Sequence, residues 1–369
     1  MSGYKERPKN HFQKAKAAQA NGQNTPIPNI PTVNKPISTT ILDKMVDGKE
    51  FASLLSYQFS GVNIIAEIQK SISEIESIRK RPLVCYVSNI VNPRGVGGTS
   101  INDGDDLPFN EMISSIPAEI KEIDVVLVTP GGDAGQVSKF VNRLRPRFDN
   151  VCFIILNKAM SAGTIFALSG DEIIMSNQSQ IGPIDPQVPR ANGRYLAAQG
   201  LLTLIDEINT RGEEALKQGK SPAWTDQLLL KNMDPMEIGA AMMASKYSID
   251  MVVEYLYSYK FREWTTHSTT NPGTPVSDED KKVRALRIAQ LLCNHDKWKN
   301  HGHAITREAA WEVCQLKITH SETIEGLDKA MRRMWALFYW IFEVLPIAKI
   351  YTSTNYNLFR NFKPAPDSK

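Results

Sequence analysis

Ile123-Asp124-Val125-Val126-Leu127-Val128 runs directly into Thr129-Pro130-Gly131-Gly132-Asp133, and a helical period follows over 134–144. A short run rich in Val, Ile and Leu, cut off by Pro and Gly, suits a buried strand better than a helix. The same order recurs a little further on. Residues 151–156 form a second such run, Lys158-Ala159-Met160-Ser161-Ala162-Gly163-Thr164 follows, 160–168 reads as a helix and 172–175 as a short strand. Strands apolar on both faces, alternating with helices, predict a parallel sheet covered by helices.

Working outward, 83–91 is another Val- and Ile-rich strand run. Before it, isoleucines at 64, 65, 68, 72, 75 and 78 mark one face of a helix. Glu76 and Lys80 stand at i, i+4 on it and are expected to support each other. Residues 93–104 are rich in Gly and Asn and read as a loop, and 109–120 suits a helix. The sheet core thus reaches from 83 to about 190. Beyond it the pattern is mainly helical: 195–218, 222–231, 235–263, 278–293, 306–317 and 321–345, with a turn-rich break at 267–275. The last helix is apolar nearly all round (Trp335, Leu337, Phe338, Trp340, Ile341, Phe342) and is expected to be buried or to pack on another subunit. The expected organisation is an arm at 1–38, a helical lead-in at 39–82, the α/β core with its helical part at 83–265, and a helical C-terminal extension at 276–369. The arm carries five basic residues within its first 16 and no apolar period, so it reads as disordered or partner-bound.

Composition limits the function. The chain has 369 residues, with 43 Lys plus Arg against 40 Asp plus Glu, a net charge of +3. That balance argues against a nucleic-acid surface. No apolar stretch approaches the roughly 17–25 residues that span a membrane. Cys85, Cys152, Cys293 and Cys314 lie far apart with no CxxC pair, which suits a reduced, cytoplasmic protein, and no secretory signal opens the chain. His295, His301 and His303 fit no zinc spacing, so neither metal nor cofactor is expected. The absence of GxxxxGK[ST] means that any energy-dependent unfolding would need a separate ATPase or regulatory partner.

Three motifs carry the candidate chemistry. The Gly131-Gly132 turn follows a strand, and its N–H groups could hold an oxyanion or a phosphate, or simply make a turn. Ser161 stands at a strand-to-helix bend among small residues, where a serine is either a helix cap or an exposed nucleophile. Asp185, in Gln180-Ile181-Gly182-Pro183-Ile184-Asp185-Pro186-Gln187, is held between prolines, as a turn aspartate or a functional carboxylate. In a parallel sheet, ligands bind beyond the carboxyl ends of the strands, and the first two motifs lie at such ends.

Taken together, Thr129–Asp133, Ala159–Thr164, Asp171-Glu172-Ile173-Ile174-Met175 and Gly182–Gln187 resemble the serine dehydrogenase proteinase family, within the Clp protease and crotonase fold group. The resemblance covers about residues 120–190. A weaker echo follows at Asp296–Thr306, where the family tends to carry Trp, His and then Ile-Thr before a helix. The resemblance implies a Clp/crotonase-like fold and a serine peptidase acting on a peptide or protein substrate. Ser161 corresponds to the nucleophile, and Gly132 and Ala162 to backbone oxyanion donors in a hole shared with Gly131. Where a Clp subunit carries its histidine, this chain carries Asp185. His301 is then the expected base with Asp185 orienting it, since a triad is defined by geometry and not chain order. A Ser–Lys dyad, as in signal-peptide peptidase A relatives, is the alternative, with Lys158, Lys217, Lys220 and Lys246 as candidates. Fold relatives form rings or stacks, which implies a homo-oligomer. A non-catalytic scaffold and a crotonase-type acyl-CoA enzyme are the other readings of the same framework.

Overall fold

Along each central strand, successive side chains enter opposite apolar layers. A computed structural model describes residues 40–92, 98–189, 195–268 and 272–362, and the expected arm at 1–38 lies outside them. The elements in chain order are α1 (Glu50–Leu54), α2 (Ile64–Arg79), β1 (Leu83–Ser88), α3 (Asp106–Ser114), β2 (Glu122–Thr129), α4 (Ala134–Leu144), β3 (Asn150–Ala159), α5 (Ala162–Ala167), β4 (Glu172–Met175) and β5 (Gln180–Ile181). There follow β6 (Gln187–Pro189), β7 (Tyr195–Ala197), α6 (Ala198–Lys217), α7 (Trp224–Asn232), α8 (Pro235–Tyr255), α9 (Asp278–Cys293), α10 (His295–Trp298), α11 (Arg307–Cys314), β8 (Thr319–His320), α12 (Leu327–Val344), β9 (Ile347–Ser353) and β10 (Tyr356–Asn361).

The main sheet has eight strands in the order β10-β9-β1-β2-β3-β4-β8, with β5 continuing the pairing of β3. From β1 to β8 the pairs are parallel, and β9 and β10 run antiparallel. Val125, Leu127, Phe153 and Ile155 enter one layer, with α3, α4, α5, α8 and α9. Val126, Val128, Cys152 and Ile154 enter the other, with α2 and α12. Each fully buried Val, Leu, Ile or Phe in these layers is worth about 1.5–3 kcal/mol. The mixed α/β fold with a largely parallel sheet is the one expected.

Two expectations change. The expected helical extension from 276 is no extension. Leu292 of α9 and Ala310 of α11 share the layer of the central strands, β8 pairs with β4, and the described residues fall within one compact unit. Nor is its end helical: β9 and β10 form a hairpin paired to β1. Pro346 stops the preceding helix, and Ile347-Ala348-Lys349-Ile350-Tyr351-Thr352-Ser353 is rich in β-branched and aromatic residues, buried throughout. The apolar helix α12 is buried within its own chain: Met334, Leu337, Phe338 and Ile341 all pack in the second layer. Its composition therefore carries no argument for a subunit contact.

Helix α2 ends differently from its expected ion pair. Lys80 takes the left-handed conformation at φ 59° as the C-cap, and Glu76 accepts a hydrogen bond from the Leu83 N–H at 2.9 Å. That contact ties the end of α2 to the start of β1.

Candidate active site

Strands β2 and β3 end side by side, and their carboxyl ends carry the two motifs. Thr129 is in register with Ala159, and the Met160 N–H donates to the Thr129 carbonyl at 3.1 Å. The chain then turns sharply at Ser161, with φ 50° and ψ −118°, and enters α5. A non-glycine residue held there stores on the order of 1–3 kcal/mol, which surrounding contacts must offset. Those contacts are tight. A Cβ on Gly163 would lie 2.3 Å from the Thr129 methyl carbon, which explains the glycine at the second position of the helix. The Thr164 hydroxyl donates to the carbonyl of Ala159 at 2.8 Å, or to that of Gly182 at 2.9 Å, and accepts from the Gly182 N–H at 2.9 Å.

Ser161 occupies the N-cap position of α5, yet its hydroxyl caps nothing. Among the described residues its Oγ has no hydrogen-bond partner, and the side chain is half-buried. The bland reading of this serine as a helix cap is therefore not what the geometry supports.

The two glycines differ in what they offer. Gly131 has φ 101°, and a Cβ there would come within 2.7 Å of the Met160 carbonyl oxygen and 2.9 Å of Ser161 Cβ. Glycine is thus required for the turn to lie directly against the serine. Its N–H, however, is taken by Thr129 Oγ1 at 3.1 Å. Gly132 has φ 144° and lies against Ile101. The Ile101 N–H donates to the Gly131 carbonyl at 2.8 Å, and the Asp133 N–H donates to the Ile101 carbonyl at 2.9 Å. In a trans peptide the C=O and the next N–H point in opposite directions. With the Gly131 carbonyl turned to Ile101, the Gly132 N–H is turned away from it, to the β3 side where Ser161 stands. Among the described residues neither the Gly132 N–H nor the Ala162 N–H, at the start of α5, has a partner. The expected three-residue donor set thus reduces to two open N–H groups, with Gly131 acting by its lack of a side chain.

The third motif joins from the far side of β3. A Cβ on Gly182 would lie 3.3 Å from the Ser161 nitrogen, so this strand end touches the elbow. Ile181 and Ile305 exchange hydrogen bonds of 3.0 and 2.9 Å, which bring the 301–305 loop alongside. Three residues past Gly182, at most about 10 Å of chain, is Asp185, with 1% of its surface exposed. Its Oδ1 lies 2.8 Å from His301 Nδ1. The expected Asp185–His301 contact is therefore present, although 116 residues separate the pair in sequence. Among the described residues, no hydrogen bond joins His301 to Ser161.

The same carboxylate faces a second imidazole that sequence reasoning did not place. His295 Nδ1 lies 3.6 Å from Asp185 Oδ2, and neither atom has a hydrogen-bond partner. The His295 ring packs against α6, with Cδ2 and Nε2 each 3.7 Å from where a Gly200 Cβ would sit. Its place, just after α9, is a local signal only in hindsight.

The alternative bases lie elsewhere. Lys217 is 3.9 Å from Glu213 and Lys220 bonds Gln218 at 3.0 Å, both at the end of α6. Lys246 is exposed on α8, and Lys158, half-buried on β3, is in register with Gln180. None bonds Ser161 among the described residues. The cysteines are not nucleophiles either: burial pushes the Cys293 thiol up to about 11 and the Cys314 thiol up to about 12. No described helix is long and apolar enough to cross a membrane.

Residues 100–207 match the family of ClpP-like SDH-type serine proteinases. The matched stretch contains Gly131, Gly132, Ser161, Ala162 and Asp185, and His301 falls outside it. Two uncharacterized proteins of Methanocaldococcus jannaschii are similar. MJ1495 is 28% identical over 143 residues, 39% of this chain and 46% of that protein. MJ0137 is 35% identical over 106 residues, 28% of this chain and 34% of that protein. The matched chain thus spans less than half the length of either relative. Among solved structures, a mutant of the membrane-bound stomatin-specific protease 1510-N aligns with 18% identity and a TM-score of 0.34, over 60% of this chain and 74% of that one.

Proposed function

We propose that the protein is a serine peptidase that works through an acyl-enzyme on Ser161. In this reading the Ser161 hydroxyl attacks a peptide carbonyl, and His301 Nε2 takes the hydroxyl proton. Asp185 accepts the His301 Nδ1–H, which fixes the tautomer and stabilises the imidazolium. The Gly132 and Ala162 N–H groups stabilise the oxyanion. The imidazolium then returns its proton to the leaving amine, and water releases the acyl group by the same steps. Each oxyanion donor is worth about 2.7–4 kcal/mol of barrier.

The observation that carries this reading is the 2.8 Å contact between buried Asp185 and half-buried His301, on a segment clamped to the elbow of a serine whose hydroxyl is uncommitted. The missing Ser161–His301 hydrogen bond favours a second reading, a non-catalytic scaffold on the same framework. A catalytic hydrogen bond commonly tightens only when substrate binds, so that gap does not outweigh the pair.

Fluorophosphonate labelling separates the two readings. The wild-type chain is expected to label at Ser161, and Ser161→Ala to lose the label with folding unchanged. Equal labelling of both would remove Ser161 as nucleophile, and no labelling of either would favour the scaffold. The substrate is a peptide or protein in this proposal, in a homo-oligomer and a cytoplasmic setting, each resting on the family resemblance and composition alone.

A further inference from the structure

We infer that Lys349, on the C-terminal strand β9, is a positioning residue for the oxyanion turn, acting through Ser100 and Ile101. The inference rests on the peptidase reading for its consequence in catalysis, and on geometry for the positioning itself.

Lys349 has 1% of its surface exposed, within an apolar strand. Its Nζ donates to the Ser100 carbonyl at 2.7 Å and lies 2.6 Å from both Asp105 Oδ1 and Oδ2. An ammonium has three N–H donors, so this one is fully committed and has none to spare for a substrate. Asp105, wholly buried, is saturated in turn. It accepts from Tyr86 OH at 2.9 Å, Tyr351 OH at 2.5 Å and the Asn102 N–H at 2.9 Å. Arg360 Nη1, at 3.6 Å, adds a further positive charge and donates to the Gly104 carbonyl at 2.7 Å.

The cluster therefore grips residues 100–105 at Ser100, Asn102, Gly104 and Asp105. Between the first two grips lies Ile101, whose backbone brackets Gly131 and Gly132. A Cβ on Gly132 would fall 2.3 Å from the Ile101 carbonyl oxygen, so the two segments are in contact with no slack. A shift of Ile101 must carry the Gly132 N–H with it. An apolar pair would fill the same volume at equal or lower energetic cost, since buried ion pairs rarely stabilise relative to well-packed hydrophobes. What an apolar pair cannot do is hold the Ser100 carbonyl. A displacement of about 1 Å at a site of this kind can slow the chemistry by about 100-fold.

The test uses the full chain with a double variant, Lys349→Met with Asp105→Asn, a neutral and nearly isosteric pair, and a milder second variant, Lys349→Gln with Asp105→Asn, which is also neutral but keeps a donor for the Ser100 carbonyl. Amide hydrogen exchange is read on the peptides carrying Ile101 and Asp133, and the rate of fluorophosphonate labelling is read at Ser161. The Met-bearing variant is expected to lose at least about tenfold in protection at those two amides, with β2 and β3 amides unchanged, and to label roughly 30–100-fold more slowly. The Gln-bearing variant should fall between it and wild type on both readouts, and it decides the matter if the Met-bearing variant does not fold. Wild-type protection at Ile101 and Asp133, or an equal loss across the whole sheet, overturns the inference and makes Lys349 merely structural. Lost local protection with unchanged labelling removes its catalytic consequence. Failure of the peptidase reading is seen separately, as equal labelling of wild type and Ser161→Ala, and the exchange result still decides whether Lys349 holds the turn.

Discussion

Asp105 and Asp185 are both buried carboxylates, 0% and 1% exposed, and they lie on opposite sides of β2 in the sheet order. Their surroundings differ. Asp105 is met by an ammonium, two phenols and a backbone N–H, while Asp185 has one close imidazole and an Oδ2 with no partner. A saturated carboxylate has nothing left to gain and serves as a fixed post. An undersatisfied one gains when its neighbour becomes positively charged, which is what a general base does as it takes a proton. Satisfaction of the carboxylate, and not its burial, separates the part of this molecule that holds from the part that would act.

The largest expected effect comes from taking the charge from the acting carboxylate. Asp185→Asn keeps the shape but presents an amide donor to His301 Nδ1, favouring the wrong tautomer. In the serine-protease precedent such a change lowers turnover about 10⁴-fold, and a loss of about 10³–10⁴ in Ser161 labelling rate is expected here. Wild-type labelling would return Asp185 to the status of a turn aspartate and leave the comparison between the two carboxylates without meaning.

This contrast also marks what could be read in advance. The two strand-turn-helix units, the small residues around Ser161 and the rigid Gly182–Gln187 segment are local patterns, legible because a turn or helix entry is decided by neighbours in sequence. The division of labour between the glycines was not legible. It depends on Thr129 Oγ1 taking one N–H and on Ile101 turning the other, and Ile101 is separated from the glycines in sequence by α3 and β2. Lys349 and Asp105 are 244 residues apart, and neither has a local pattern that points to the other. A lysine in a strand otherwise buried on both faces was the available hint. A single lysine, however, does not say which carboxylate it meets or which turn it holds.

A second expected effect, of intermediate size, belongs to the holding carboxylate. Burial, reinforced by the charge of Asp105, raises the Tyr86 and Tyr351 phenols well above their ordinary value. Above about pH 10 the unfolded chain releases these protons while the folded chain keeps them. The unfolded state then binds fewer protons, so stability falls as pH rises, by about 1.4 kcal/mol per pH unit for each phenol. Lys349 works the other way. Burial holds its ammonium below the usual lysine range, so its contribution rises with pH until the unfolded side chain has titrated near about pH 10.4. Above that, only the phenols remain. Chemical denaturation followed between neutral and strongly alkaline pH, with phenolate absorbance read in parallel, checks this. Ionisation of all tyrosines before any loss of structure would show that the Asp105 cluster is open to solvent.

The smallest expected effect decides between the two imidazoles on Asp185. His301 touches Oδ1 at 2.8 Å, and the two histidine side chains are similarly exposed, 21% at 301 and 28% at 295. His295 stands 3.6 Å from Oδ2, with its Nε2 turned to α6 at Gly200. A base needs its second nitrogen to reach the serine, and it is the loop of His301 that Ile305 ties to Ile181 beside the Ser161 elbow. Gln at 295 retains an amide donor for Oδ2, so His295→Gln is expected to slow labelling of Ser161 by less than about tenfold, while His301→Gln removes the base itself and costs at least about 100-fold. Rates measured on both variants at one pH are sufficient. If His295→Gln proved the more damaging, the roles of the two rings would exchange, and the nearest imidazole to this carboxylate would be its anchor instead of its base.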